Sequence, residues 1–174
     1  ALVRLRAAGR IGHIGITGLP LKVFPAVIDQ VGPQVVETVL SFCRYALNDT
    51  ALESLLPYLK EKGIGVINAS PTGMGLFTER SVPAWLPAPK PIVDAARRAV
   101  NHCRAAGVDI VKLAIQFSIS NPAIATTLIG TASEAEIRKN VGYAEASVDF
   151  EMIAEIRNLL KPIRNHNFTR GRAE

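Results

Sequence analysis

The sequence has few cysteines, few aromatic residues and no long apolar run. Its two cysteines, Cys43 and Cys103, form no CxxC pair, which argues against a disulfide scaffold and favours a reducing compartment. No stretch of about 18 uncharged apolar residues occurs, so we expect no membrane-spanning helix. Residues 1–6 lack the apolar core and cleavage site of a secretory signal. These absences favour a cytoplasmic protein, while a transit peptide removed before residue 1 would allow an organelle.

The residue patterns of common catalytic and metal sites are also missing. The three histidines, His13, His102 and His166, make neither an HExxH pattern nor a paired Cys/His metal spacing, so we expect no metal site. We interpret His13 as a strand residue packed in the core or at a sheet end, and His102 as part of a polar helix face. Arg44 and Tyr45, at a predicted strand end, are the most reactive-looking pair, but packing and a surface charge explain them equally well.

Positive charge exceeds negative charge, with 20 Lys and Arg residues against 15 Asp and Glu residues. Part of the excess lies in residues 164–174, which we predict to be a basic C-terminal tail. Such a tail can bind nucleic acid or an acidic protein. No series of aromatic residues accompanies the charges, as base stacking would require. We therefore interpret the tail as a solvated terminus and expect no nucleic-acid partner.

Short β-branched runs alternate with helical patterns along the chain. Its length and its 48% share of hydrophobic residues suit one folded domain. Four strands are predicted, at 11–16, 35–42, 64–67 and 125–129. Helical patterns cover 1–9, 23–31, 49–62, 92–106, 108–120, 134–143 and 150–161, with either Asn48 or Asp49 as the cap of the third and either Ser147 or Asp149 as the cap of the last. A long proline-rich loop spans 70–91. This alternation predicts an α/β fold made of parallel β/α units.

Four β/α units leave two architectures open. One is half of an eight-stranded barrel, which usually has about 250 residues, and the other is an open doubly wound sheet. Small and hydroxyl residues follow three of the predicted strands, at 17–18, 69–75 and 130–133. Glycine-rich backbone can approach a pyrophosphate closely, and the helix that begins after Ser133 offers free N–H groups to an anion. The pattern therefore indicates phosphate binding at the strand ends.

These strand-end motifs resemble those of a known family. They are GRIGHIGITGLP at 9–20, LSFCRYALND at 40–49, ASPTGMGL at 69–76 and the segment from IGT at 129 to NV at 141. In this order and spacing the chain resembles the C-terminal half of an aldo-keto reductase, nearest to the NAD-dependent aldose dehydrogenases. The resemblance implies that residues 1–163 supply strands five to eight of a (β/α)8 TIM barrel.

The resemblance also implies which residues bind a nicotinamide cofactor. Thr17 and Gly18 fall where family members hold the nicotinamide carboxamide, although the usual pair there is Ser-Asn. Ala69 replaces the aromatic residue that stacks on the nicotinamide in many members. The pyrophosphate loop contains Ser70, Thr72, Gly73 and Met74, and the adenosine-binding segment contains Gly130, Thr131, Ser133, Glu136 and Asn140.

The expected cofactor is NAD in preference to NADP. NADP-using members place Lys and Arg where this chain has Gly130 and Glu136. A carboxylate near the ribose repels a 2′-phosphate and accepts a hydrogen bond from a 2′-hydroxyl. Glu136 is also the third residue of the helix that Ser133 is predicted to cap, where it would complete a capping box. Both roles of Glu136 can coexist.

By the resemblance, no residue here inherits a catalytic role, because the family takes its Asp, Tyr, Lys and His from strands one to four. Two functions remain open. The chain is either the NAD-binding half of an oxidoreductase acting on aldoses, or a catalytically inactive half-barrel that serves as a structural or interaction subunit. Half a barrel leaves two strand edges and an apolar inner face uncovered. We therefore expect a partner, which could be an N-terminal half-barrel of the same or a separate chain, a second copy, or another protein.

Overall fold

Four short parallel strands form one sheet, and their order in space is their order along the chain. In the computed structural model, which describes residues 1–166, the strands are Gly15–Gly18 (β1), Thr38–Phe42 (β2), Gly65–Ala69 (β3) and Thr126–Leu128 (β4). A doubly wound sheet reverses its strand order at a switch point. The unreversed order therefore corresponds to a segment of a barrel.

Seven α-helices and three 3-10 turns accompany the strands within residues 1–166. The helices are Leu2–Ala7 (α1), Val23–Val31 (α2), Leu56–Glu61 (α3), Lys90–Ala105 (α4), Ile110–Ile119 (α5), Glu134–Glu145 (α6) and Phe150–Leu159 (α7). The 3-10 turns are Ala51–Ser54, Gly73–Gly75 and Lys161–Ile163. None of the helices in this part of the chain is long and apolar enough to cross a bilayer. Most of the predicted basic tail, 167–174, lies outside the described residues.

Three helices begin at side chains that accept a hydrogen bond from a free N–H group of the first turn. Asp109 caps α5, Ser133 caps α6 and Asp149 caps α7. Asp149 is therefore the cap where the sequence left a choice with Ser147. Neither Asn48 nor Asp49 caps α3, because a 3-10 turn comes between them and the start of that helix.

The first strand lies further along the chain than predicted. Strand β2 begins at Thr38, which pairs with Gly15, so the paired register starts there. One further backbone hydrogen bond, from the Glu37 amide to the Ile14 carbonyl at 2.8 Å, precedes it. Thr17 consequently lies inside the strand. His13 lies before the strand, with its imidazole 82% exposed and its Nδ1 3.3 Å from a carboxylate oxygen of Glu37. His13 is therefore neither a strand residue nor packed in the core, whereas the sheet-end alternative agrees with its place two residues before β1.

The two faces of the sheet are covered differently. Along β2 and β3 the buried side chains alternate with partly exposed ones. Val39 and Val66, on the buried face, pack into the hydrophobic core with side chains from the helices. The opposite face carries the partly exposed Leu40 and Ile67, and Leu128 of β4 is 48% exposed. Within residues 1–166, therefore, helices cover only one face of the sheet.

Candidate functional site

A pocket of about 840 Å³ opens where β3 and β4 end. Its walls come from the turn after β3, the long loop before α4, the segment between β4 and α6, and the exposed face of α6. Pockets that bind small molecules commonly measure roughly 300–1,000 Å³. Ligands of α/β barrels also bind at the carboxyl ends of the strands. The position and the size of this pocket therefore make it the candidate site.

Most of the predicted cofactor residues line this pocket. They are Ser70, Thr72, Met74, Gly130, Thr131, Glu136 and Asn140. Gly73 and Ser133 belong to the same two segments without lining the pocket, and Gly73 is buried. Thr17 and Gly18 lie on β1, at the sheet edge opposite β4, and do not line it. The structure thus brings the predicted pyrophosphate loop and adenosine segment together, but not the predicted nicotinamide pair.

The turn after β3 has unusual backbone conformations. Ser70, Gly73, Met74 and Gly75 all have positive φ, between 55° and 98°. A left-handed conformation at a non-glycine residue costs about 1–3 kcal/mol and is often found at ligand sites. The amide of Ser70 donates to the carbonyl of Leu128 at 3.2 Å, which ties the turn to the end of β4. The positive φ values bend the backbone sharply, and the hydrogen bond to Leu128 holds the turn beside the pocket.

An ion pair connects the long loop with α6 across the pocket. The Arg80 guanidinium donates to Oε1 of Glu136, and the Thr131 hydroxyl donates to Oε2 at 2.5 Å. Both carboxylate oxygens are therefore engaged. Ser133 Oγ accepts from the Glu136 amide at 3.3 Å, but the Ser133 amide donates to Thr131 Oγ1. The capping-box prediction is half right, since Ser133 caps the helix but Glu136 does not return the bond.

A second charged group lies where α5 and α6 meet. Oδ2 of Asp109 accepts from Lys139 Nζ at 2.8 Å and from the Tyr143 hydroxyl at 2.7 Å. Desolvation opposes the ionisation of Asp109, but these hydrogen bonds outweigh it and lower its pKa. The hydrogen bond to Asp109 is also the main reason that the pKa of Lys139 is raised. Lys139 therefore places a fixed positive charge at the pocket wall.

Sequence reasoning missed eight of the pocket's polar or aromatic residues: Thr78, Glu79, Arg80, Ser81, Trp85, Asp109, Lys139 and Tyr143. Lys139 and Tyr143 follow Glu136 by three and seven residues, so helical spacing alone places all three on one face of α6. That signal was available. Arg80 and Trp85 come from an irregular loop whose path no residue pattern predicts.

The strand end at 43–45 is a structural element rather than a reactive site. Arg44 is 4% exposed and pairs with the fully buried Asp49 at 3.3 Å, so its interpretation as a surface charge is wrong. The Tyr45 ring stacks on Phe117 with 4.9 Å between centroids. Its backbone carbonyl accepts from Asn68 Nδ2 at 2.9 Å. These contacts fasten the loop after β2 to β3 and α5.

The cysteines and histidines are engaged elsewhere. Desolvation raises the pKa of both Cys43 and Cys103 to about 11, so neither thiol ionises at neutral pH. His102 Nε2 lies 2.8 Å from a carboxylate oxygen of Glu155, which joins α4 to α7. Within residues 1–166 no group of three His, Cys, Asp or Glu side chains is placed to hold a metal ion.

Comparisons with known proteins agree with the sequence resemblance. Residues 1–161 match the model of the aldo/keto reductase family. The chain is 42% identical over 175 residues to an L-galactose dehydrogenase of Arabidopsis thaliana, in an alignment that covers 98% of this chain and 55% of that protein. It is 27% identical over 164 residues to a pyridoxal 4-dehydrogenase of Microbacterium luteolum, covering 91% and 47% respectively. The chain thus spans about half the length of these curated relatives.

Solved structures show the same fold. An aldo-keto reductase from Bacillus halodurans superposes with a TM-score of 0.67 at 20% identity, covering 93% of this chain and 53% of that one. A glycerol dehydrogenase from Gluconobacter oxydans also gives 0.67, at 14% identity, covering 99% and 56%. Both solved structures therefore share the α/β aldo-keto reductase fold with this chain, and each match covers about half of the solved chain.

Proposed function

Because the chain belongs to the aldo/keto reductase family, we propose that it is the NAD-binding, C-terminal half of an oxidoreductase of the L-galactose or aldose dehydrogenase type. In this proposal residues 1–163 supply strands five to eight of a (β/α)8 barrel. The observation that carries it is the 840 Å³ pocket at the ends of β3 and β4, which is lined by the two separate segments that the sequence resemblance assigns to the cofactor.

The pocket residues fit a dinucleotide. A Cβ atom added at Gly75 would lie 3.2 Å from the ring of Pro83, so the tight turn requires a residue without a side chain there. The cations Arg80 and Lys139 lie at the wall, each paired with a carboxylate that also lines the pocket. Their remaining N–H groups can donate hydrogen bonds to a pyrophosphate. Thr131 and Asn140 add neutral hydrogen-bonding groups suited to a ribose and a base. When bound, the cofactor would accept a hydride, while these residues bind and orient it.

The proposed preference for NAD depends on Glu136. Its carboxylate is held by the Thr131 hydroxyl at 2.5 Å, so it has a fixed position in the adenosine segment. A 2′-phosphate next to that carboxylate would be repelled, whereas a 2′-hydroxyl could donate to it. Arg80 offsets part of the negative charge of Glu136. We therefore propose a preference for NAD rather than an absolute exclusion of NADP.

No residue of this chain is proposed to be catalytic. Asp109, Lys139 and Tyr143 have three of the four residue types that the family uses for hydride transfer, but they lie on the adenosine side of the pocket. Desolvation is the main reason that the pKa of Tyr143 is raised. A general acid or base works best with a pKa near the working pH. The raised pKa disfavours Tyr143 in that role, so the catalytic set is proposed to come from the other half of the barrel.

The proposed partner is an N-terminal half-barrel, in the same protein or as a separate chain. The partly exposed face of the sheet and the half-length match to the relatives support it. The alternative function, an inactive half-barrel acting as a structural or interaction subunit, is also supported by this face. The cytoplasmic location stays a prediction.

An assay of hydride transfer from an aldose such as L-galactose to NAD distinguishes the oxidoreductase half from the inactive structural subunit. The purified chain is mixed with a separately expressed half-barrel that carries an Asp/Tyr/Lys/His set, and NADH is followed by its absorbance. We expect no turnover by the chain alone and measurable turnover by the mixture. Turnover by the chain alone at a typical enzymatic rate, of order 1–10³ per second, would contradict the proposal. A mixture that assembles, binds NAD and stays inactive would favour the structural subunit.

A further inference from the structure

A second pocket lies beside the C-terminal helix α7. It measures about 380 Å³ and is formed by α7, the turn after it and the loop after β2. Three of its eight lining residues are basic, namely Arg157, Lys161 and Arg164, and none is acidic. No residue lines both this basic pocket and the candidate cofactor pocket. Its chemistry therefore needs a separate explanation.

Arg157 is positioned by a stack of aromatic rings. Its guanidinium carbon lies 4.4 Å from the centroid of the Phe117 ring, which in turn stacks on Tyr45. Both rings are buried, at 5% and 4% exposure. A guanidinium that lies over an aromatic face keeps its N–H groups available for hydrogen bonds in its own plane. Less side-chain freedom is then lost when Arg157 binds an anion.

Arg164 is positioned by a clamp between the end of the described chain and the loop after β2. The Asn165 amide donates to the carbonyl of Asn48 at 2.8 Å, and the Thr50 amide donates to Oδ1 of Asn165 at 2.9 Å. Asn48 Nδ2 also donates to the carbonyl of His166 at 3.3 Å. This clamp requires Asn165 to adopt a φ of 58°. The chain around Arg164 is thereby fixed next to the basic pocket.

The three cations are not neutralised by ion pairs within the described part of the chain. No carboxylate in residues 1–166 forms an ion pair with Arg157, Lys161 or Arg164. Burial and the positive charge of Arg164 lower the pKa of Arg157, and Tyr45 and Glu53 offset this only in part. Like charges gathered in a concave, partly buried site attract an anion strongly. A bound anion would relieve the repulsion.

We propose that the basic pocket binds a small phosphate monoester through Arg157, Lys161 and Arg164. A planar guanidinium matches the oxygens of a phosphate in a bidentate manner, and a lysine ammonium adds a point charge. The volume is larger than a phosphate group needs, and Leu47 and Leu160 line the same pocket. The remaining space therefore accepts an organic portion. This proposal is independent of the cofactor site.

Calorimetric titration of the purified protein with glycerol 3-phosphate and with inorganic phosphate tests the proposal. Because charge-assisted hydrogen bonds are strong, Lys161→Gln and Arg164→Gln should each weaken glycerol 3-phosphate binding by about tenfold. Both side chains are exposed, so neither variant should disturb folding. The matched controls Lys60→Gln and Arg98→Gln remove one exposed positive charge elsewhere and should leave the affinity unchanged.

The two probes distinguish the source of the phosphate. Tighter binding of glycerol 3-phosphate than of inorganic phosphate indicates an organic phosphate ester as the ligand class, as proposed. Trp85, the only tryptophan, lines the cofactor pocket and not the basic pocket, so its fluorescence should not change in this titration. Equal affinity for both probes would overturn the assignment of a monoester. Equal weakening in the pocket and control variants, or no heat with either probe up to about 10 mM, would overturn the site.

Discussion

At the scale of single residues, the predicted preference for NAD over NADP depends on the carboxylate of Glu136. Glu136 was selected from the sequence as the group that disfavours a 2′-phosphate, and the structure places it in the pocket with Arg80 and Thr131. Its pairing with Arg80 could not be predicted, because the two residues are 56 positions apart and one lies in an irregular loop. The sequence indicated the residue but not its electrostatic partner.

The double substitution Gly130→Lys with Glu136→Arg should shift the preference of the protein from NAD toward NADP. A Cβ at Gly130 meets nothing within 4 Å, so the lysine fits without strain. One charge-assisted contact contributes roughly 1.5–3 kcal/mol, and the ratio of the two affinities should change by about tenfold or more. Glu134→Arg, which changes the same charge on the same helix outside the pocket, is the control. An unchanged ratio of affinities would mean that the adenosine segment lies elsewhere.

Asp109→Asn should lower stability by about 1 kcal/mol at neutral pH, because a charged hydrogen-bond acceptor is lost in a partly exposed site. Asparagine still caps α5. The lowered pKa of Asp109 in the folded state means that its contribution is present above its unfolded pKa of about 3.9 and disappears as pH falls through the folded value. Urea unfolding at neutral and acidic pH measures both effects. The control Asp94→Asn removes a carboxylate from an exposed ion pair and should show neither effect. If Asp109→Asn lost as much stability at acidic pH as at neutral pH, the stabilising role of the Asp109 charge would be contradicted.

At the scale of secondary structure, the predicted helices and the last three predicted strands agree closely with the structure, whereas the first strand is displaced by several residues. Helix ends depend on local caps such as Ser133, which the sequence shows directly. A strand begins where its neighbour offers a partner, so β1 was displaced by the register that pairs Gly15 with Thr38. Parallel register depends on residues far apart in the chain. A single sequence does not contain that information.

Gly75→Ala should destabilise the turn after β3 and weaken the binding of NAD. The φ of 98° is unfavourable for alanine, and the new Cβ would lie 3.2 Å from the Pro83 ring. We expect a loss of about 1–3 kcal/mol in unfolding free energy, as for other strained positions. Gly142→Ala is the matched control, since this glycine lies inside α6 with open space around it. It should raise stability by roughly 0.5–1 kcal/mol. Equal effects of both substitutions on NAD binding would separate the turn from the cofactor site.

At the scale of the whole molecule, the open face of the sheet determines how the chain should behave in solution. Leu40 and Ile67 lie on the face that no helix of the described chain covers, and the edge strand β4 carries the half-exposed Leu128. Proteins rarely leave apolar patches of more than a few hundred Å² exposed. The motifs predicted this barrel segment, because each one reports a local strand end. That a further half-barrel or a partner covers the open face stays a prediction, because no motif of this chain specifies it.

We therefore expect that the chain does not exist as a compact free monomer. Sedimentation of the purified chain should show self-association, or an increase in mass when an N-terminal half-barrel is added. The apolar face should also bind a hydrophobic dye, and the added half should displace it. A single compact species of 18.7 kDa that binds no dye would instead indicate a self-contained open sheet.

The most direct test of the central claim is a titration of the purified protein with NAD, followed by the fluorescence of Trp85. This residue is the only tryptophan and lines the candidate pocket, so the signal reports the site itself. The account predicts a saturable change with NAD and a weaker affinity for NADP, both reduced in the Gly75→Ala variant. No saturable change with either dinucleotide, while the protein remains folded and its sheet is covered by a partner, would contradict it.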